Sequence, residues 1–361
     1  MRDIDIRGAA TKRPEAKGSF VKLDGLQAGR AVAALLVVAF HANIFILPDR
    51  FYDGARAGRI FDFGYAGVEF FFVLSGFIMV FVHRRDFSVP ARAFVFLKKR
   101  VFRIYPVYWV IYLSLTALYF IDHSRGPENA RDPLAILASL LLWPMPDPPI
   151  LQVAWTLQYE MLFYFVFTLL VLNLRVGAVV FAAWMAGCLV TDLWLDPSYP
   201  WGFLFSAYNL LFAFGIASAF AYTHLSIGQA RGLLVLGSIA FLAVGASETF
   251  GLVSWNMPVR TWCYGLGASM AVAGLAAGAV SPPRWLSFLG DASYAIYLVH
   301  LPAMTVGAVV AQALGAPWGL GPLAMMGVLL VYSCVVGSIV HLWVERPLAR
   351  MLSGATRARG R

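Results

Sequence analysis

Ten apolar stretches of about 20 residues recur along the 361-residue chain. They lie near 26–47, 64–83, 102–122, 155–173, 176–195, 202–222, 231–248, 262–280, 292–313 and 319–344. Each is long enough to cross the hydrocarbon core of a bilayer as a helix, which takes about 20 residues at 1.5 Å per residue. The expected fold is therefore all-α and polytopic, with about ten transmembrane helices. Composition agrees, with 60% hydrophobic residues and 13% charged, against about 25% charged in an ordinary soluble domain. The mean hydropathy of +0.72 excludes a soluble globular enzyme and a disordered protein.

The net charge of +9 has a topological explanation. With the N-terminus inside, 21 of the 28 basic residues fall on the cytoplasmic side and 6 outside, while Arg30 lies within a span. That bias follows the positive-inside rule and puts both termini in the cytoplasm. It also removes the main reason to expect a nucleic-acid partner. The domain division is then a basic cytoplasmic tail over 1–25, a transmembrane domain over 26–348 and a second basic tail over 349–361. Residues 1–25 have no apolar segment of the signal-peptide kind. Residues 123–154 read as a long external loop able to dip back into the protein, with a proline-rich WPMPDPPI segment that cannot be helical throughout. The three cysteines lie in apolar runs without a CxxC, so neither a disulfide framework nor a metal site is expected. Walker, GxSxG and HExxH motifs are absent.

Chemistry must then come from polar groups inside the membrane, where each ionisable side chain costs a few kcal/mol and is a functional candidate. The first span carries Arg30 and His41 in RAVAALLVVAFH. Eleven residues at about 100° each come within roughly 20° of three full turns, so both share one face, about 16 Å apart. Either they are a snorkelling Arg and a packed His, or His41 is a general base. GYAGVEFFFVLSGF brings Glu69, which either pairs with Arg30 or another cation or belongs to the site, and the Ser75–Gly76 step, which permits close helix packing. The segment KKRVFRIYP clusters Lys99, Arg100 and Arg103 at the cytoplasmic mouth of the third helix. This cluster either serves topology and anionic lipid or faces a phosphate-bearing ligand. In WTLQYEMLFYF, Thr156, Glu160 and Tyr164 line one face at i, i+4, i+8. Glu160 is expected at the depth of His41, where it either orients that imidazole or pairs with an arginine elsewhere. SYAIYLVHLP adds Tyr297 and His300, and VERPL reads as an end of the last helix with a Glu345–Arg346 ion pair.

Taken in order, RAVAALLVVAFH, GYAGVEFFFVLSGF, KKRVFRIYPVYW, WTLQYEMLFY, SYAIYLVHLP and VERPL resemble the acyltransferase 3 family of integral membrane acyltransferases, over about residues 23–348. The chain looks most like the exopolysaccharide O-acetyltransferases. The resemblance implies transfer of an acyl group, commonly acetyl from acetyl-CoA, to a hydroxyl of a carbohydrate or other acceptor, in the inner membrane of a bacterium. By that resemblance His41 is the catalytic histidine and Arg30 its companion. Arg100 and Arg103, with neighbouring Lys99, help to hold the acyl-CoA donor, and Glu160 is the acidic residue of the fourth span. No permanently bound cofactor is implied. Thr156 stands where the family usually has Ser, and Gly29 where a larger apolar residue is usual. No appended extracytoplasmic domain is expected after residue 348. The competing class is a proton-coupled transporter of a polysaccharide unit, which the lack of internal repeats disfavours.

Overall fold

The computed structural model describes residues 24–123, 126–195 and 197–351. Most of the two expected basic tails lies outside the described residues. Ten long α-helices occupy all ten expected positions: α1 Asp24–His41, α2 Gly67–His83, α3 Pro90–Ile121, α4 Trp155–Leu172, α5 Leu174–Trp194, α6 Ala207–Ala221, α7 Ile227–Thr249, α8 Met257–Ala276, α9 Arg284–Ala313 and α10 Pro322–Val340. No strand occurs among the described residues.

Nine of the ten are long and apolar enough to cross a membrane. The exception is α8, whose sequence is diluted by Arg260, Thr261, Ser269 and three glycines. Eleven of its twenty residues are buried, because α8 packs chiefly on α7, α6 and α2 and so needs less apolar surface of its own. Elsewhere the outward faces are strongly apolar. Val235, Leu236, Ile239 and Leu242 of α7 are each more than half exposed, an arrangement that suits hydrocarbon and not water. The chain is an all-α, multi-pass membrane protein.

Helix starts differ from the expected boundaries where local chemistry extends them. α3 begins at Pro90, near the preferred first helical position. Lys98, Lys99, Arg100 and Arg103 therefore sit on its helical surface rather than in a loop. α9 begins at Arg284 and runs through Pro302 without ending.

A close crossing joins α2 to α6, where a Cβ on Gly76 would lie 2.1 Å from the Phe212 carbonyl oxygen and one on Gly215 would lie 1.8 Å from that of Val73. The Ser75–Gly76 step thus permits backbone contact, as expected. Gly76→Val is expected to destabilise the bundle by about 1–3 kcal/mol through overpacking. The check is thermal unfolding in detergent, where a clear fall in melting temperature is the expected result.

The loop ahead of α4 does enter the protein. Ile150, Leu151, Val153 and Ala154 are all nearly or fully buried. The short helix Pro133–Leu140 starts on an Asp132 cap. Its C-terminal carbonyls are held by donors of α3: Tyr112 donates to Ile136 (2.8 Å), Tyr108 to Ser139 (2.5 Å), Trp109 to Leu140 (2.9 Å) and Tyr105 to Leu141 (2.6 Å). These four side chains recur every three or four residues along one side of α3. They add side-chain donors to the carbonyls at the C-terminal end of this short helix and its cap.

Candidate active site

Two cavities lie within the bundle, back to back. The first, about 180 Å³, is lined by Arg30, Ser75, Arg100, Arg103, Thr156, Glu160, Tyr164, Ser293, Tyr294 and Tyr297 among others. The second, about 360 Å³, is lined by His41, Glu69, Tyr65, Gln152, Trp155, Tyr208 and Tyr297 among others. Val68 and Tyr297 line both, so they form the shared wall. α1 passes along both cavities and presents Arg30 to one and His41 to the other, as their common face requires.

In the arginine cavity, Arg30 donates from Nε to Ser293 Oγ at 3.0 Å. Arg103 donates to Glu345 and lies 5.2 Å from the ring centre of Tyr294. Arg100 donates from Nη2 to His83 Nε2 at 3.0 Å, and His83 Nδ1 in turn donates to Asp86 at 2.8 Å. The buried Nε of Arg100 has no partner. Glu160 accepts from Ser75 Oγ at 3.0 Å and from the Tyr164 hydroxyl. Three guanidinium groups and one carboxyl group line this cavity, and with Glu345 paired to Arg103 behind the lining the cluster is still richer in cations than in anions, which suits an anionic ligand. Arg103 keeps 40% of its side-chain surface accessible, which marks an opening at this end.

In the histidine cavity the hydrogen bonds fix a tautomer. His300 Nδ1 lies 2.6 Å from the Tyr297 carbonyl, so that nitrogen carries the proton and His300 Nε2 is an acceptor. His41 Nδ1 lies 2.8 Å from the Val37 carbonyl and 3.3 Å from His300 Nε2. Both neighbours accept, so His41 Nδ1 donates a forked bond. The Nε2 lone pair of a neutral His41 is left for the cavity. His41 ends α1, and the next turn, Ala42–Ile46, is π-helical, a distortion frequent at functional sites.

Several expectations change with these positions. Glu160 lines the arginine cavity and does not reach His41. The chain before α4 is already buried, so one and a half turns of helix carry Glu160 deeper than an external start would. The imidazole beside His41 is His300. Glu69 is not the partner of Arg30: it is fully buried, and neither of its carboxyl oxygens has a hydrogen-bond partner. Lys99 is exposed and lines neither cavity, since one residue turns it about 100° from Arg100. Glu345 binds Arg103 and His341 (2.6 Å) rather than Arg346, which donates to His341 at 3.1 Å. The i, i+4, i+8 face of Thr156, Glu160 and Tyr164 does line one cavity. Thr156 Oγ1 also meets the Tyr297 hydroxyl at 3.0 Å.

His83, Ser293, Tyr294 and Glu345 join the arginine cluster without having stood out as site residues in the sequence. The Glu345–Arg103 contact spans 242 positions, and no short-range pattern signals it. His83 sits 17 residues before Arg100, and its burial at the end of α2 is visible only in the fold.

Fold and cavities together define an integral membrane protein that encloses polar chemistry within its helix bundle. The family model described as an acyltransferase domain, that of acyltransferase 3, matches residues 23–342, and the chain belongs to this family of membrane acyltransferases. It is 31% identical over 321 residues to the exopolysaccharide production protein ExoZ of Rhizobium meliloti (strain 1021), a match covering 83% of this chain and 94% of that one. It is 27% identical over 377 residues to the acyltransferase MdmB of Streptomyces mycarofaciens, covering 92% and 93%. No solved structure matches. Family membership makes the chain an enzyme that uses an acyl donor, and sets aside the transporter reading.

Proposed function

We propose that this protein moves an acetyl group from acetyl-CoA onto a hydroxyl of an exported carbohydrate, in a bacterial inner membrane with both termini cytoplasmic. The observation that carries the reading is the pairing of cavities: a guanidinium-lined one open at its arginine end, and a second in which His41 offers a free Nε2. The similarity to a protein named for exopolysaccharide production supports a carbohydrate acceptor.

The arginine cavity is small beside pockets that enclose drug-sized ligands, which run from about 300 to 1,000 Å³. It suits the slender thioester arm of CoA, with phosphates held at the mouth by Arg100 and Arg103. The acceptor hydroxyl oxygen attacks the thioester carbonyl carbon while its proton passes to His41 Nε2. The tetrahedral intermediate collapses with cleavage of the carbon–sulfur bond, and the proton on His41 passes to the departing thiolate. Arg30, held by Ser293, lines the donor cavity and adds positive charge along the path of the donor. Glu160, fixed by Ser75 and Tyr164, sets one carboxyl group among the three guanidinium groups of the lining.

The test is mass spectrometry of surface carbohydrate from a strain deleted for the gene and complemented with it. A gain of acyl groups on the carbohydrate with the complementing gene is the expected result. Identical acylation with and without the gene contradicts the proposal.

A further inference from the structure

We infer that the histidine cavity is the acceptor subsite and that Glu69 binds the reacting carbohydrate through its hydroxyls, an inference that rests on the transferase reading above. Glu69 is wholly buried, lines this cavity and has no hydrogen-bond partner for either carboxyl oxygen. A buried carboxyl group left without partners is costly, and such a group in a native fold calls for a partner from outside it. The cavity supplies the room: at about 360 Å³ it is twice the volume of its neighbour.

The lining argues for a hydroxylated, uncharged ligand. No Lys or Arg lines this cavity, and the neighbouring Arg260, 5.0 Å over the Tyr65 ring, is paired with Glu248 at 2.7 Å, so the arginine cluster that suits a phosphate next door has no counterpart here. Aromatic rings do line it, with Trp155 and Tyr208 5.1 Å apart and Phe40 and Tyr65 5.6 Å apart between ring centres. Rings of this kind give apolar faces for the CH surface of a sugar, with tyrosine hydroxyls at their edges. A carboxyl group bonded to two neighbouring hydroxyls of a pyranose fixes which oxygen stands beside His41 Nε2. Gln152, from the buried loop ahead of α4, faces the same space and gives that loop a part in acceptor choice.

The experiment uses the purified full chain in nanodiscs, acetyl-CoA, and oligosaccharides cut from the host's own exopolysaccharide and stripped of O-acyl groups in alkali. Glu69→Gln keeps the volume and exchanges one oxygen for an amide donor. It is expected to lower kcat/KM for the oligosaccharide roughly 10- to 100-fold, the usual worth of a hydrogen bond to a carboxylate, with KM for acetyl-CoA changed less than about twofold. A second measurement needs no variant. Dicyclohexylcarbodiimide labelling of Glu69 in the wild type, read by peptide mass spectrometry, is expected to slow with oligosaccharide and not with CoA. Unchanged kcat/KM in the folded variant overturns the role of Glu69, as does labelling indifferent to oligosaccharide in a wild type that transfers acetyl; both leave the transferase reading standing. A wild type that transfers no acetyl to the oligosaccharide overturns that reading and this inference with it.

Discussion

His41→Ala is expected to lower kcat for acyl transfer by about 10²–10⁴-fold, the usual contribution of a positioned general base, while the protein still folds into the membrane. The second half of that expectation comes from where the side chain is tied. Its strongest hydrogen bond runs to the Val37 carbonyl of its own helix, and its second to His300 Nε2. Loss of the imidazole leaves the Val37 carbonyl its helical role and leaves His300 bound to the Tyr297 carbonyl. No buried charge is orphaned, but the buried His300 Nε2 loses its donor, a cost of about 1–3 kcal/mol that is still small beside the cost to chemistry. Initial rates of CoA release in the presence of acceptor, compared with thermal unfolding in the same detergent, separate the two. His41→Gln sharpens the result, because glutamine keeps hydrogen bonding and lacks a basic nitrogen. Activity near that of the wild type in either variant contradicts a base role for His41.

Arg100→Ala is expected to raise KM for acetyl-CoA at least about tenfold with a much smaller change in kcat, the pattern of lost ground-state binding to an anion. The donor contact depends on ionic strength, so the gap between wild type and variant narrows as salt rises. Arg103→Ala is expected to do the same and more, because it strips the guanidinium from buried Glu345, which keeps only His341. Removing one member of a fully buried ion pair costs about 3–5 kcal/mol; Arg103 keeps 40% of its side-chain surface accessible, so the loss here is smaller, and this variant loses some stability as well as donor affinity. The combination Arg103→Ala with Glu345→Gln relieves the stranded carboxylate: stability recovers and the raised KM stays. Thermal unfolding and donor titration of the four proteins check this, and an unaltered KM in Arg100→Ala removes that residue from donor binding.

The helical plan was legible because each span has to satisfy one rule of length and apolarity. Where a helix is enclosed by its neighbours the rule weakens, and α8 shows it: glycine and Arg260 replace the apolar residues a lipid-facing helix needs, with Arg260 held by Glu248 at 2.7 Å. Within single helices, rotation arithmetic served well. Arg30 and His41 line neighbouring cavities from one face, and Thr156, Glu160 and Tyr164 line one cavity together. The same arithmetic, applied one residue along, separates Lys99 from Arg100. Depth was harder to read than direction. A start of α4 at the membrane boundary would place Glu160 beside His41, whereas Ile150 to Ala154 carry the chain into the bundle first. Contacts between helices far apart in sequence left no trace in local pattern. His41 meets His300 across 259 positions and Arg103 meets Glu345 across 242, and only the assembled bundle brings them together.

In the proposed reaction a cation-lined donor cavity and a His41 acceptor cavity together perform acyl transfer. It is tested most directly by incubating the purified protein in nanodiscs with isotopically labelled acetyl-CoA and de-O-acylated oligosaccharide, then measuring the mass of the saccharide. Labelled acetyl appearing on the oligosaccharide with wild type, and not with His41→Ala, is the predicted result. Unlabelled oligosaccharide after incubation with wild type, or equal labelling by both proteins, contradicts it.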